Sequence, residues 1–342
     1  MSVSILDGFD FASAGIDDFG VVQAGPSLTY DAYTRAIARG VPPQLQYLVR
    51  NAACRRGFDD ILPGARAVVC CVVAMPPWPD GEDEPRYARF CTLGDYHQTL
   101  RQRLSPLAEY LKSCGATHTR ICVDTAPVLE RELAVRAGLG SIGWNRMFIH
   151  PRWGAFVALG EVFADIEVVE KRALEGAIEA CTPGRTGCPC APGTRCCVRA
   201  CPTQALTESG YDMHRCLAYW STQHRGEMPE FYARSMGSTL WGCDQCQNAC
   251  PCNRSQSPTT ATPLDSPLPG ISFYDLLTLS GRQLKKALAG SPLADAHPDI
   301  VRRNACIVLG NLGAHNHTAE LENLALHSPT DWVRSSAQRA LG

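Results

Sequence analysis

Residues 188–202 read CPCAPGTRCCVRACP and residues 243–252 read CDQCQNACPC: nine cysteines in two short blocks, with Cys216 between them in HRCLAYW. Their spacing points to iron–sulfur chemistry. Cys197-x3-Cys201-Pro202 and Cys243-x2-Cys246-x3-Cys250-Pro251 both end in the Cys-Pro step of bacterial two-cluster ferredoxins. In that pattern, short intervals wrap thiolates around one cubane and the cysteine before proline reaches the other. Zinc also uses Cys-x2-Cys, but it takes four ligands at one centre and has no preference for a paired x3-Cys-Pro ending.

The chain has 342 residues, with 32 Lys and Arg against 34 Asp and Glu, for a formal net charge of −2. That length predicts two or three domains with a substantial core. The charge balance excludes a globally basic nucleic-acid binder, so an RNA partner would have to be met by a local patch. No basic segment followed by an apolar run opens the sequence, and no uninterrupted apolar stretch reaches bilayer length. The expectation is a cytoplasmic protein without membrane contact, whose 18 cysteines stay reduced and serve as thiolate ligands rather than disulfides.

Ahead of the cysteine blocks, strand and helix patterns alternate. Phe19 to Val22 predicts a short strand and Tyr30 to Arg39 a helix, stopped by Gly40-Val41-Pro42-Pro43. QYLVRNAACRR (46–56) then presents a helical surface carrying Arg50, Arg55 and Arg56. Ala67 to Ala74 is continuously apolar and β-branched, hence a buried strand in which Cys70 and Cys71 act as core filler. From Tyr96 to Leu111 apolar residues recur at helical spacing, with His97 at the start. Arg120 to Val123 predicts a strand that delivers Asp124 at its end, where Asp124-Thr125 can cap a helix from Pro127 to Ala137. Taken alone, that Asp is an ordinary cap and that His an ordinary surface residue. Gly138, Gly140 and Gly143 predict a sharp turn before strands at Met147 to Ile149 and Ala155 to Val162. The turn lacks the strand-then-helix context of a dinucleotide fingerprint.

Beyond Cys252, NRSQSPTTATPLDSPLPG reads as a linker. DIVRRNACIVLGNLG and DWVRSSAQRALG then share Asp-x-Val-Arg followed by small and apolar residues, a repeat of HEAT type. The plain reading is a structural cap. The alternative makes Arg302, Arg303 and Asn304, with Lys285 and Lys286, a local basic face for an RNA loop.

LPGARAV (62–68), LGDYH (93–97), DTAPVLERELAVRAGLGSIGWN (124–145), PRWGAFVALGEVFAD (151–165), CPTQAL (201–206) and GCDQCQNACP (242–251) follow one another in an order that closely resembles the epoxyqueuosine reductase family, the cobalamin-dependent iron–sulfur enzymes of queuosine biosynthesis. The resemblance covers almost the whole chain. It implies an α/β cobalamin-binding domain (1–175), a two-cluster ferredoxin-like α+β module (176–256) and an all-α HEAT-like C-terminal region (257–342). The implied cofactors are two [4Fe-4S] clusters and cobalamin. Electrons pass through the clusters to cobalt, and the reduced corrinoid opens the substrate epoxide with loss of water to leave an alkene. The implied partners are the anticodon stem-loop of a tRNA and an electron donor such as ferredoxin or flavodoxin, acting on a monomer.

Residue by residue, the resemblance makes Asp124 the proton donor, since a protonated oxygen leaves more readily than an anion. Tyr96 and His97 line the same pocket, and Arg55, Asp124 and Asn145 contact the corrinoid. Arg303 and Asn304 face the substrate. Cys201, Cys216, Cys243 and Cys246 hold one cluster, and Cys188, Cys190, Cys197 and Cys250 the other. The family's first block is Cys-x2-Cys-x2-Cys-x3-Cys-Pro, so the two ligands before Cys197 depart from it. Cys188 with Cys190 is preferred and Cys190 with Cys196 is the alternative, an incomplete three-iron cluster being a further one. Cys181 and Cys252 read as spare. A second departure is Trp144, where the family has a lysine before Asn145; tryptophan offers only stacking and one donor. Two other readings stand beside this one: a related corrinoid reductase acting on a small epoxide or halide, and a non-enzymatic iron–sulfur electron carrier.

Overall fold

The computed structural model of the chain describes residues 5–76, 86–169, 177–185, 188–254 and 268–342. The centre of the expected linker and both expected domain boundaries fall on 170–176 and 255–267, outside the described residues. The chain divides into two compact units. One comprises Met1–Pro76, Tyr96–Cys197 and Gln247–Pro263, and the other Pro77–Asp95, Val198–Cys246 and Leu264–Gly342.

The first unit is built on a four-stranded sheet in the order Asp18–Gln23, Ala67–Ala74, Val157–Ala164, Thr119–Cys122. Every neighbouring pair is antiparallel. Ala67–Ala74 is buried along its whole length, as its unbroken apolar run requires of a strand covered on both faces. Alternation along Val157–Ala164 sends Val157 and Phe163 into a core shared with Leu133, Ala134 and Val135 of the helix Glu130–Arg136. A Cβ on Gly160, on the opposite face, would meet Leu104 of the helix Tyr96–Ser113 at 2.7 Å, so that helix covers the other side. Gly20 is obligatory in the edge strand, because a Cβ there would lie 2.2 Å from the Ala137 carbonyl oxygen.

Two expectations need correction. QYLVRNAACRR is not one helical surface but a single turn of helix, Tyr47–Arg50, flanked by 3-10 turns at Pro43–Leu45 and Ala53–Arg55. The helix expected from Pro127 begins at Glu130, with Leu129 as its N-cap and no side-chain cap bond. Asp124 and Thr125 therefore do not cap it, and the Asp124 side chain is free for other partners.

The second unit is mainly helical. Phe273–Thr278 and Gly281–Ala287 each open on a reciprocal capping box, from Ser272 with Asp275 and from Ser280 with Gln283. The two helices predicted from the Asp-x-Val-Arg repeat are present as Pro298–Leu312 and Asp331–Leu341, with Thr318–His327 between them. Their stripes, including Val301, Ala305, Val308, Leu321, Val333 and Ala337, merge into one core with Leu276 and Leu284. Among the described residues no helix is long and apolar enough to cross a membrane.

Candidate active site and cluster ligands

Asp124 follows directly on the end of the edge strand Thr119–Cys122 and Val123, with φ at +44°. That left-handed conformation is uncommon outside glycine, and aspartate is one of the few residues that tolerates it. The kink turns the carboxylate to meet the start of the helix Tyr96–Ser113. Tyr96 donates its phenolic hydrogen to Asp124 Oδ2 at 2.8 Å, and His97 Nε2 lies 3.1 Å from the same oxygen. The two rings stack with centroids 4.0 Å apart. Partial desolvation works against ionisation of Asp124, whose side chain is half exposed, but the hydrogen bonds from His97 and Tyr96 outweigh it and hold its carboxyl below the usual range. The structure thus brings Tyr96, His97 and Asp124 together around one carboxylate, with the Tyr47 hydroxyl close enough to feel its charge. Nothing in the sequence pointed to Tyr47.

Asn145 lies in the turn after Gly143 and is buried, 6% exposed. Its Oδ1 accepts the Met147 N–H at 3.2 Å, whereas Nδ2 has no partner. A buried amide donor left unpaired is costly unless a ligand satisfies it, so Asn145 fits a carbonyl-bearing group such as a corrinoid amide. Arg55 donates to the Asn51 carbonyl at 2.8 Å and lies over the Tyr33 ring. Trp144 is clasped by two guanidinium groups, Arg195 at 3.5 Å and Arg146 at 5.3 Å from its ring centre. The residue that departs from the lysine pattern is therefore surrounded by cations rather than being one.

The two sets of expected cluster ligands belong to different units: Cys188, Cys190, Cys197 and Cys250 to the first, and Cys201, Cys216, Cys243 and Cys246 to the second. In the second set, Cys216 and Cys201 are near enough to Cys243 to raise its thiol, after burial, up to about 12. Backbone N–H groups reach the sulfurs: Ala205 to Cys201 at 3.2 Å, Gln245 to Cys243, and Cys252 to Cys250 in the first set. Such bonds stabilise thiolates and are a recognised means of tuning clusters. Cys190 Sγ lies 3.8 Å from Cys196 Sγ, while the Cys188 thiol turns to the Cys190 carbonyl at 4.0 Å. Cys252 packs beside Cys250 and interacts with Cys188 and Cys190. Among the described residues no three donors close on a single-ion position. The fit to clusters rests instead on the neighbouring sulfurs and the N–H···S bonds.

The substrate assignment of Arg303 and Asn304 is overturned. Both are fully buried. Arg303 donates to the carbonyls of Trp220, His224 and Gly226 at 2.7, 2.8 and 2.9 Å, and Asn304 to those of Ser221 and Leu240 at 2.7 and 2.9 Å. They stitch the interior of their unit, since a side chain with five fixed donors is well suited to binding loop carbonyls. In the same unit, Arg282, Lys285 and Arg302, with His297 and Asp299, line an open cleft.

Comparison with known proteins agrees with this arrangement. Residues 55–125 match the family described as epoxyqueuosine reductase QueG, DUF1730, and residues 190–253 match the 4Fe-4S double cluster binding domain. The epoxyqueuosine reductase of Salmonella typhimurium is 30% identical over 315 residues, covering 88% of this chain and 77% of that protein. That of Pseudomonas aeruginosa is 29% identical over 344 residues, covering 97% and 90%. A crystal structure of selenomethionine-labelled epoxyqueuosine reductase superimposes with a TM-score of 0.80 at 26% identity, over 96% of this chain and 87% of that one. A second, of epoxyqueuosine reductase with an epoxyqueuosine-modified tRNA-Tyr stem loop, gives 0.77 at 26% identity, over 97% and 87%. With a relative 30% identical over most of both chains and the double-cluster block matched, the chain belongs to the epoxyqueuosine reductase family.

Proposed function

We propose that this chain reduces epoxyqueuosine in tRNA to queuosine, using two [4Fe-4S] clusters and cobalamin. The observation that carries the reading is the carboxyl of Asp124, held by Tyr96 and His97 at a kinked strand end. Deoxygenating an epoxide requires a positioned acid for the departing oxygen, and Asp124 is the acid of this site. Tyr96 and His97 orient its Oδ2. Asn145, through its unpaired amide nitrogen, Arg55 and Asp124 are the residues that would hold the corrinoid. A reduced corrinoid supplies low-potential electrons to the substrate carbon.

The second cluster takes Cys201, Cys216, Cys243 and Cys246. The first takes Cys190, Cys197 and Cys250, with Cys188 or Cys196 completing it. Residues 1–175, 176–256 and 257–342 are the corrinoid, cluster and HEAT-like regions of this reading. A ferredoxin or flavodoxin supplies the electrons to a cytoplasmic monomer. The tRNA assignment is supported by the relative whose structure holds an epoxyqueuosine stem loop. The cleft of Arg282, Lys285 and Arg302 replaces Arg303 and Asn304 as the candidate phosphate contact.

The test is conversion of epoxyqueuosine to queuosine in a tRNA stem loop by anaerobically purified, cluster- and cobalamin-loaded protein. No conversion by fully loaded protein sinks the tRNA assignment. A second reading, the same reduction of a small epoxide or halide, gains from the burial of Arg303 and Asn304. Competition by tRNA separates the two, because a small-molecule enzyme ignores it.

A further inference from the structure

Between the strands Asp18–Gln23 and Ala67–Ala74 the chain makes an excursion, residues 27–56, whose two ends meet. The Ser27 N–H donates to the Arg56 carbonyl at 2.8 Å. The buried carboxylate of Glu132, 4% exposed, fixes the first residues: it accepts from the Ser27 hydroxyl at 2.6 Å and from the Leu28 and Thr29 N–H groups at 2.8 and 3.0 Å. At the other end, Cys54 and Arg55 line a small cavity together with Val128 and Leu129. Within the excursion, Tyr33 donates to the Leu48 carbonyl at 2.6 Å and ties the helix Tyr30–Ala38 to the turn Tyr47–Arg50. Val128, Leu129 and Glu132 all lie in the stretch that runs on from Asp124, so the excursion is fastened beside the catalytic carboxylate.

Ordering so long a segment costs entropy that buried apolar side chains ordinarily offset. Here only Val41 and Pro42 are buried, and the helix Tyr30–Ala38 buries nothing. Its exposed residues Ala32, Arg35, Ala36 and Arg39 recur at i, i+3, i+4 and i+7, so two guanidinium groups stand at either side of a shallow alanine strip. Arg50, Arg56 and the apolar Leu28, Tyr47 and Val49 are also exposed. The excursion carries five arginines and a single acid, Asp31, in a chain of net charge −2. Exposed arginines elsewhere are paired, Arg66 with Glu167 and Arg234 with Glu230. Among the described residues no carboxylate pairs with Arg35, Arg39, Arg50 or Arg56, and Arg56 lies over the Tyr30 ring instead, 5.5 Å from its centre. Crowded like charges repel one another and add nothing to a core, so their use lies outside the fold.

We infer that residues 27–56 are an RNA-docking arm, in which Arg35, Arg39, Arg50 and Arg56 take phosphates of the substrate stem loop and direct its modified nucleotide toward Asp124. This rests on the reading of the substrate as a tRNA. The arm supplies the local basic patch that a chain of this composition needs for RNA. Guanidinium forks match phosphate oxygens, and the alanine strip lets a ribose–phosphate backbone come close. Tyr47, exposed and near enough to feel the Asp124 charge, offers an aromatic face to a base at the reaction site. An acidic electron-donor protein would meet the same charges, but it has no need to approach the proton donor, whereas the substrate must.

The test is binding of a tRNA-Tyr anticodon stem loop to the cluster- and cobalamin-loaded chain, followed by fluorescence anisotropy between about 50 and 200 mM salt. Arg35→Gln with Arg39→Gln should weaken binding about tenfold at about 100 mM salt and reduce the slope of log affinity against log salt by about 2. Arg66→Gln makes the same kind of charge change outside the arm and should leave the slope unchanged. Because neither Arg35 nor Arg39 has a side-chain partner in the fold, the melting temperature and the iron and cobalt content of the double variant should match the parent. A parent-like slope in the double variant overturns the arm. So does an equal fall in Arg66→Gln, which would make the effect one of net charge alone. Loss of cobalt uptake in the double variant would assign the arm to the cofactor instead. Slower reduction by flavodoxin with stem-loop binding intact would assign it to an acidic protein, and either result overturns the inference. If the parent itself binds no stem loop, the tRNA reading has failed and the arm with it; if the parent binds and only the predicted slope change is missing, the arm alone has failed.

Discussion

Tyr96 and His97, consecutive residues at the start of one helix, both reach the same oxygen of Asp124, at 2.8 and 3.1 Å. Consecutive helical residues normally diverge by about 100° around the axis; here the first turn lies at the strand end, and the two stacked rings converge. This convergence sets the proton affinity of Asp124.

Asp124→Asn keeps a hydrogen-bonding side chain but cannot protonate a leaving oxygen. It is expected to reduce turnover by about 10² to 10⁴ while the iron and cobalt content is unchanged. Tyr96→Phe and His97→Gln each remove one bond that favours the carboxylate, so the Asp124 pKa should rise in both. Infrared titration of the Asp124 carboxylate band measures the shift; an unchanged midpoint in both variants would contradict the assigned cause.

Glu161 makes folding depend on pH. Burial without a hydrogen-bond partner raises its pKa in the folded chain, so stability is greatest below the unfolded glutamate value of about 4.5 and is lost as pH climbs from there toward the folded value. Glu161→Gln mimics the protonated form and should raise the melting temperature by a few degrees at pH 8. It should have little effect at pH 4. Melting curves at the two pH values check the sign, and an equal effect at both would refute it.

Arg303→Met leaves three buried carbonyls, those of Trp220, His224 and Gly226, without their donor. A loss of about 3 kcal/mol is expected, read by denaturant unfolding, with no selective loss of RNA affinity in the folded fraction. By contrast, Arg282→Glu with Lys285→Glu should leave unfolding unchanged, weaken stem-loop binding and flatten its salt dependence. Salt titrations of binding distinguish contact from scaffold.

Anaerobic reconstitution followed by iron analysis tests the first cluster. Because Cys190 Sγ lies 3.8 Å from Cys196 Sγ and the Cys188 thiol faces a carbonyl, Cys196→Ser should lower iron from about eight per chain toward about four. Cys188→Ser should stay near eight. The opposite result restores the Cys188 and Cys190 pairing that spacing alone favours.

Elements carried by local pattern were legible in the sequence. The buried strand Ala67–Ala74, the helix from Tyr96 and the two Asp-x-Val-Arg helices follow from continuous apolar runs or helical periodicity. Where a longer-range contact decided the outcome, the pattern misled. The basic, helical-looking stretch 46–56 breaks into turns, and the helix after Asp124 starts late because the Asp124 side chain is used elsewhere.

The sequence by itself determined the chemistry available to this protein: cysteines at cluster spacing and an ordered string of motifs naming the family, because ligand identity and interval are properties of the covalent chain. Tertiary structure alone decided what individual polar residues do. Arg303 and Arg282 look alike as basic residues of the helical region, yet one is sealed inside and the other lines a cleft. Glu132 and Glu161 are both buried glutamates, yet one is saturated with donors and the other has none. Burial and partners come from residues distant in the chain, and they determine whether a charge is held, lost or put to use.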